Sequence, residues 1–542
     1  MSLDSVGEEP SAVPGAQPAE SPLRQRAESA LDLALKRLPP GPDTHRVRHV
    51  LEQGRHALGT PMRVAVAGVV SSGKSTLVNA LVGGEPMATG LTPVTFTVSV
   101  LRHANEPAVT VHFHDGRSPE HHGLASLARF TARMPEARVP EGIAWVEVRG
   151  PFPCLRSFDL VDTPGFGSQF EADAQAALTA LGLTTEAVSA VTADQLTRAD
   201  AVLAVLNAGV SRSDADLLAR LRGNGFAVSP VTCVGVLTKA ELAWPGEAGR
   251  PVGDPLAATR RTAERIIADP EMSRLFHDVH PVCSKVAAAA FAMGDEEFTD
   301  LVSLARTDPA LLEKRLRVHR AFATRPYDDL PLSPERRAPL VGRFSQYGIA
   351  LATALIREGV DTPDELRAEL DRRSGMGSLR EALVRHFGRR RDLIKLGRIL
   401  DSVHALDVDG PDVSGGDPRT RAAVRNALRQ VTDLERDELA FAELRLLRRW
   451  YRGEIALSEA EAAELRIAMG ERGASVAERL GLPPATVLTQ MERTALERLG
   501  HWRASPVASQ PGGRALVQVM ERRYEQLCHR VRAARALLEE QE

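Results

Sequence analysis

The segment from Arg63 to Leu81 constrains the fold more strongly than any other part of the chain. Residues 63–67 form an apolar run that is typical of a buried strand, and residues 76–81 have helical character. Between them, the loop Gly68-Val-Val-Ser-Ser-Gly-Lys-Ser75 matches the pattern G-x-x-x-x-G-K-[ST]. A strand, a glycine-rich loop and a helix in this order predict a P-loop, whose backbone N–H groups hold the phosphates of a nucleotide.

Individual side chains of this loop suit different parts of a phosphate site. Lys74 can reach the β- and γ-phosphates, and the Ser75 hydroxyl can coordinate Mg²⁺. The loop backbone and the helix N-terminus complete the cradle for the phosphate charge. The predicted phosphate-binding residues are Gly68, Ser72, Gly73, Lys74, Ser75 and Thr76.

Two later segments fit the γ-phosphate side of such a site. Asp162-Thr-Pro-Gly165 follows a strand-like run, so we expect Asp162 to hold Mg²⁺ through water and the Gly165 N–H to bond the γ-phosphate. In the segment Thr92-Pro-Val-Thr95, Thr95 is the expected threonine ligand of Mg²⁺ and Thr92 is the alternative. The predicted metal ligands are therefore Ser75, Thr95 and Asp162.

The segment Thr238-Lys-Ala-Glu241 is the candidate for base recognition. It follows a strand-like run, where a guanine-specific protein carries [NT]-K-x-D. We expect Lys239 to pack on the purine and the carboxylate to accept hydrogen bonds from guanine N1–H and N2–H. Glu241 is one methylene longer than the usual Asp, which leaves the preference for GTP over ATP open. Ser284-Lys285 is the expected last loop beside the base, and Ser284 is its predicted site residue. GTP with Mg²⁺ is the predicted ligand pair.

The distribution of apolar residues divides the chain into regions. Strand-like and helical runs alternate up to about residue 290, and long helical segments rich in Leu, Ala, Arg and Glu follow residue 378. This pattern predicts an α/β P-loop head with a mostly parallel sheet, followed by an α-helical bundle. The predicted domains are a disordered tail (1–21), N-terminal helices that join the bundle (22–59), a GTPase domain (60–392) and the helical bundle (393–542).

Composition bears on the partners and on the cell compartment. A formal net charge of −3 leaves no overall basic excess, so we expect no nucleic-acid partner. The four cysteines form no C-x-x-C motif or Cys/His cluster, which argues against a disulfide framework or a zinc site. The apolar stretches are shorter than the roughly 18–20 residues that a spanning helix needs. We expect a cytoplasmic protein, with a peripheral position at the inner face of the cell membrane as the alternative.

The motifs at residues 68–83, 92–95, 162–165 and 237–239 together resemble the dynamin superfamily, in particular bacterial dynamin-like proteins of the isoniazid-inducible actinobacterial type. The resemblance implies GTP-driven dimerisation of the heads, turnover without a separate activator, and remodelling or bridging of membranes. The expected partners are therefore a second copy or a related dynamin-like chain, and an anionic membrane surface. The basic stretch from Arg385 to Arg398 is a candidate for such a surface, although we interpret it as a solvated hinge.

Two positions depart from the family pattern. Dynamins often carry a catalytic polar residue at the third position of the P-loop, where this chain has Val70, and Ser71 is the next residue that could stabilise charge. The second departure is Glu241. Both leave room for two alternatives: a slow regulatory GTP switch whose bundle binds a protein partner, or a P-loop ATPase of the same fold. The predicted catalytic residues are Lys74, Ser71, Thr95 and Gly165.

Overall fold

A computed structural model describes most of the chain. The described residues are 22–69, 71–84, 98–124, 127, 130, 142–163, 199–207, 230–244, 254–269, 271–388, 390–406, 417–437, 439–451, 454–470, 473 and 475–539. Contacts divide the chain into two compact units. The helical unit comprises Met1–Thr60 and Lys395–Phe441, and the sheet unit comprises Pro61–Ile394 and Ala442–Glu542. The sheet unit thus includes residues 442–542, whose helices the sequence placed in the bundle.

A mixed sheet forms the centre of the sheet unit. Its described strands are β1 (Met62–Gly68), β2 (Ser99–His103), β3 (Ala108–Phe113), β4 (Glu120–His122), β5 (Ile143–Gly150), β6 (Phe158–Asp162), β7 (Ala201–Leu206), β8 (Cys233–Leu237) and β9 (Val279–Pro281). The strand order is β4-β3-β5-β2-β6-β1-β7-β8-β9. The strands β6, β1, β7, β8 and β9 run parallel, while β2 is antiparallel to β6 and β3 is antiparallel to both β4 and β5.

Helices make up most of the remaining described chain. They are α1 (Pro22–Arg37), α2 (His45–Gly59), α3 (Lys74–Val82), α4 (Pro255–Ala268), α5 (Ser284–Ala292), α6 (Asp295–Ala305), α7 (Pro309–Leu316), α8 (His319–Thr324), α9 (Pro334–Arg357), α10 (Pro363–Arg373), α11 (Met376–Leu383), α12 (Arg391–His404), α13 (Pro418–Asp437), α14 (Leu439–Tyr451), α15 (Glu459–Ala468), α16 (Val476–Arg479), α17 (Leu488–Arg503) and α18 (Gly513–Glu539). None of these helices is long and apolar enough to cross a bilayer.

The central strands explain why the sheet forms. Every residue of β6, β7 and β8 is buried, as expected for parallel strands that are covered on both faces. One face packs on apolar residues of α4 and the segment before β9, among them Ala263, Ile266, Leu275 and Phe276. Because the sheet and its helices follow the predicted pattern, the fold class of an α/β head with an α-helical part is confirmed.

The first of the helical segments predicted after residue 378 does not continue unbroken to residue 406. Instead, α11 ends at Leu383, a π-helical turn spans Val384–Gly388, and α12 begins at Arg391. The buried His386 in this turn contacts the carbonyl oxygen of Val231 through Nε2, at 3.0 Å. A π turn at this point aims the ring at a buried acceptor, and the glycine that ends it is a poor helix former.

Lys395 belongs to the basic stretch that we interpreted as solvated, and that interpretation is wrong at this position. Its side chain is buried, and Nζ donates to the carbonyl oxygens of Ala57 (2.5 Å) and Thr60 (2.6 Å) and to Thr60 Oγ1 (3.1 Å). Three acceptors match the three donors of an ammonium group, and a helix C-terminus favours a cation. Lys395 therefore fastens the end of α2 within the helical unit.

Replacing Lys395 should weaken the helical unit. We expect Lys395→Met to lower the free energy of unfolding by about 1–3 kcal/mol, because it leaves buried carbonyl oxygens without a donor. The exposed Lys36, in the same unit, serves as the control. Lys36→Met should change the free energy by less than about 0.5 kcal/mol. Urea unfolding of both variants measures the difference, and equal effects would contradict the role assigned to Lys395.

Candidate functional site

The carboxyl ends of four neighbouring parallel strands meet at one edge of the sheet. At this edge, β1 leads into the glycine-rich loop, β6 ends at Asp162, β7 is followed by Asn207, and β8 is followed by Thr238. Crevices at the carboxyl ends of parallel strands are where open α/β sheets bind ligands. The register confirms the alignment, since Val66 pairs with Asp162 and Gly68 pairs with Val205.

The backbone of the loop requires its two glycines. A Cβ atom at Gly68 would lie 2.6 Å from Ser72 Oγ and 2.8 Å from the Val205 carbonyl oxygen. Gly73 has a φ of +92°, in the left-handed region, and directly precedes α3. The first N–H groups of α3, from Lys74 onward, have no acceptor within the helix. The N-terminus of α3, which favours an anionic ligand, thus follows the carboxyl end of β1.

Lys74 lies inside the loop rather than in solvent. Its side chain is buried, and Nζ donates to the carbonyl oxygens of Gly68 and Val69, each at 3.0 Å. Burial lowers the pKa of Lys74 to about 8, and the nearby Asp162 carboxylate opposes this shift. An ammonium held by neutral carbonyl groups can exchange them for the stronger contact with a phosphate oxygen.

Asp162 is completely buried next to Lys74 and Ser75. Within the described part of the chain, neither carboxylate oxygen has a partner in good hydrogen-bond geometry. Burial raises the pKa of Asp162 to about 6, although the Lys74 ammonium and the Ser75 hydroxyl oppose the shift. A buried carboxylate with incomplete hydrogen bonding is costly, and the water shell of a divalent cation would satisfy both oxygens. Ser75 and Asp162 therefore fit a Mg²⁺ ion.

The base-side segment is bonded to the P-loop. Thr238 is buried, and its Oγ1 lies 2.6 Å from the Ser72 carbonyl oxygen and 3.2 Å from that of Leu206. Lys239 has a φ of +59°, and its Nζ donates to the carbonyl oxygen of Ser71. Ser71 itself has a φ of +59°. The structure therefore brings the predicted base-side and phosphate-side segments together.

Glu241 occupies a buried position beside the N-terminus of α5. The Ala240 N–H donates to the Val282 carbonyl oxygen at 3.3 Å, which places Glu241 next to the segment that begins α5 with the buried Ser284. Burial raises the pKa of Glu241 to about 6, while Lys285 and Lys239 oppose the shift. Its Oε2 is buried and makes no hydrogen bond to any described residue. The Glu241 Oε2 atom can therefore accept a hydrogen bond from a ligand.

Several predicted residues cannot be placed, and one other residue was missed. Thr92, Thr95 and Gly165, like Val70, lie outside the described residues. Asn207 was not predicted, yet it follows β7 at the same edge and its buried Oδ1 makes no hydrogen bond within the described chain. Lys285, which belongs with Ser284 to the predicted base-side loop, lies beside Glu241. A polar residue directly after a fully apolar strand was the signal for Asn207.

Comparison with known proteins agrees with this architecture. The Dynamin family model matches residues 64–240. The isoniazid-induced protein IniC of Mycobacterium tuberculosis (strain ATCC 25618 / H37Rv) is 31% identical over 448 residues, which cover 82% of this chain and 85% of that protein. Dynamin-like protein 2 of Campylobacter jejuni subsp. jejuni serotype O:23/36 (strain 81-176) is 32% identical over 125 residues, covering 23% of this chain and 20% of that protein.

A solved structure was also matched over most of the chain. It is described as an oligomerised bacterial dynamin pair that provides a mechanism for the long range sensing and tethering of membranes. The match covers 97% of this chain and 93% of that chain, with 14% identity and a TM-score of 0.30, which is too low to relate the two folds. The family instead follows from the P-loop edge of the sheet and from the identity with IniC over most of both chains. The chain belongs to the dynamin family and is a bacterial dynamin-like GTPase.

Proposed function

We propose that this GTPase depends on Mg²⁺ and couples GTP turnover to dimerisation of its heads and to membrane binding. One observation supports the Mg²⁺ dependence above all: Asp162 is buried beside Lys74 and Ser75, and its carboxylate oxygens make no hydrogen bond of good geometry within the described chain. In a P-loop such a carboxylate would hold a Mg²⁺ ion, which would supply positive charge beside the phosphates. Bound Mg²⁺ would neutralise charge that develops on the phosphates during hydrolysis.

The proposed roles follow the position of each side chain. Lys74 and the Gly165 N–H stabilise the γ-phosphate, Ser71 adds charge stabilisation, and Thr238 holds the base-side segment on the loop. Lys239 packs on the purine, and Glu241 accepts the two guanine N–H groups. The proposed ligands of Mg²⁺ are Ser75, Thr95 and, through water, Asp162. The proposed phosphate cradle is Gly68, Ser72, Gly73, Lys74, Ser75 and Thr76, with Ser284 beside the base.

Dimerisation and membrane binding are proposed because the chain belongs to the dynamin family. Val70 stands where dynamins often carry a polar catalytic group, so this head depends on other groups to complete its site. GTP turnover per molecule, measured across a protein concentration series, tests dimerisation. Sedimentation with anionic or neutral liposomes, with GTP, GDP or no nucleotide, tests membrane binding. Rising specific turnover and sedimentation with anionic liposomes are expected. Flat, slow turnover without sedimentation would favour a regulatory switch.

If Glu241 recognises the guanine base, the preference for guanine nucleotides should depend on pH. The folded pKa is raised to about 6, so the carboxyl group gains a proton as the pH falls through 6 and can no longer accept both guanine N–H groups. Affinity for GDP relative to ADP should therefore fall between pH 7 and pH 5. In Glu241→Gln this ratio should be low and independent of pH over the same range. Equilibrium titration with fluorescent nucleotides measures it, and the same pH dependence in both proteins would contradict the assignment.

A further inference from the structure

The C-terminal end of α3, the helix that follows the P-loop, is bonded both to the adjacent turn and to two side chains far away in the sequence. The N–H groups of Gly83 and Gly84 donate to the Asn79 carbonyl oxygen at 3.0 and 3.2 Å. Cys154 Sγ donates to the Leu81 carbonyl oxygen at 2.9 Å, and Arg380 Nη2 donates to that of Ala80 at 2.6 Å. The last carbonyl groups of a helix have no N–H donor within the helix, so these contacts anchor its end.

Arg380 is itself held in one position. Its Nη1 lies 2.7 Å from Asp371 Oδ2 and its Nη2 lies 3.0 Å from Asp371 Oδ1, which makes the pair bidentate. The guanidinium also lies over the Phe291 ring, 5.5 Å from its centroid, and a Cβ at Gly83 would touch this ring at 3.4 Å. A planar guanidinium in a bidentate pair has little freedom, and its charge is favourable at a helix C-terminus.

The opposite end of the same helix carries the phosphate-site residues. Lys74 and Ser75 are the first two residues of α3, which has nine residues. A helix of that length spans only about 13 Å and moves as a rigid body. Fixing its C-terminal end therefore limits how Lys74 and Ser75 can shift at the N-terminal end.

We infer that Arg380, held by Asp371, is a positioning residue that acts on GTP hydrolysis through α3. The inference rests on the proposed function of the P-loop, and it gives that site a determinant more than three hundred positions away in the chain. Arg380 lies on α11, immediately before the π turn that ends at Gly388. The same guanidinium thus links the P-loop helix α3 to α10 and α11, which belong to the same unit.

Three variants and one control test the inference. Arg380→Met and Asp371→Asn should each lower kcat per bound nucleotide by about tenfold, since small misplacements of catalytic groups are costly, while KM changes much less. Arg380→Lys should restore part of kcat, because an ammonium can still donate to the Ala80 carbonyl oxygen. Arg372→Met is the matched control, since Arg372 is exposed and pairs with Glu369 on the same helix as Asp371. It should leave kcat unchanged.

Hydrogen exchange of the α3 amides provides a readout that needs no turnover. In Arg380→Met, exchange over residues 77–82 should be faster than in the wild type and in Arg372→Met. The inference is overturned if kcat per bound nucleotide stays within about twofold of the wild type while only the unfolding temperature falls. If the wild type hydrolyses GTP no faster than Lys74→Ala, the proposed function fails instead. Exchange in α3 then tests only the anchoring of α3 by Arg380, and unchanged exchange in Arg380→Met would reject that anchoring.

Discussion

Lys74→Met should lower kcat/KM for GTP by about 10²–10³-fold, the loss expected when one charged donor to the transition state is removed. Lys74 is the cation at the start of α3, and its ammonium donates to the carbonyl oxygens of Gly68 and Val69. A methionine fills the same space without charge or donors. Steady-state GTP hydrolysis measures the loss, with the exposed Lys314→Met as the control.

The same substitution should change the titration of its neighbour. Among the groups that oppose the raised pKa of Asp162, the Lys74 ammonium has the strongest effect. Removing it should therefore push that pKa above about 6. Binding of Mg²⁺, which needs the ionised carboxylate, should then require a higher pH. Turnover in Lys74→Met that equals the wild type would show that the loop is not the phosphate site.

Asp162→Asn should raise the Mg²⁺ concentration for half-maximal GTP turnover by about 10–100-fold, the usual cost of removing a group that holds a metal through its water. The amide keeps the shape of the side chain but loses the negative charge. Asp159→Asn is the matched control, because Asp159 is buried on the same strand and is paired with Arg102 at 2.8 Å. That variant should keep the Mg²⁺ response of the wild type, although it should be less stable.

Without metal, the stability of Asp162→Asn should move in the opposite direction to its activity. The folded pKa of Asp162 is raised from 3.8 to about 6, so ionisation destabilises the folded state as the pH rises through this interval. Two pKa units correspond to roughly 3 kcal/mol, an upper limit for the gain of Asp162→Asn at pH 8 in EDTA. The gain in stability of Asp162→Asn should vanish below about pH 4. Added Mg²⁺ should stabilise the wild type but not Asp162→Asn. Urea unfolding at both pH values checks the sign.

Sequence patterns predicted those parts of the fold that depend on local repetition. The apolar run Ala201–Leu206 is a strand with those same limits, and the P-loop pattern locates the start of α3 at Lys74. By contrast, β4 (Glu120–His122) is three polar residues whose strand form depends on pairing with β3, so no periodic pattern marks it. The π turn at Val384–Gly388 was missed for a similar reason, since it depends on a buried acceptor at Val231.

In the candidate site, too, the residues that stand in local motifs were predictable and those that depend on distant partners were not. Gly68, Lys74, Asp162 and Thr238 stand in motifs, and the structure brings them to one edge of the sheet. Arg380 and Lys395 act on carbonyl oxygens some 300 residues away in the chain, and a charged residue in a helical segment carries no signal of such a partner. The roles of Thr95 and Gly165 stay predictions, because both lie outside the described residues.

Steady-state hydrolysis of GTP and ATP by the purified chain, with Mg²⁺ titrated against EDTA and Lys74→Ala as the blank, tests the central claim most directly. The account predicts that GTP is hydrolysed faster than ATP, that turnover requires Mg²⁺, and that Lys74→Ala shows none of it. Turnover that persists in EDTA or in Lys74→Ala, or a preference for ATP, would contradict a Mg²⁺-dependent GTPase built on this loop.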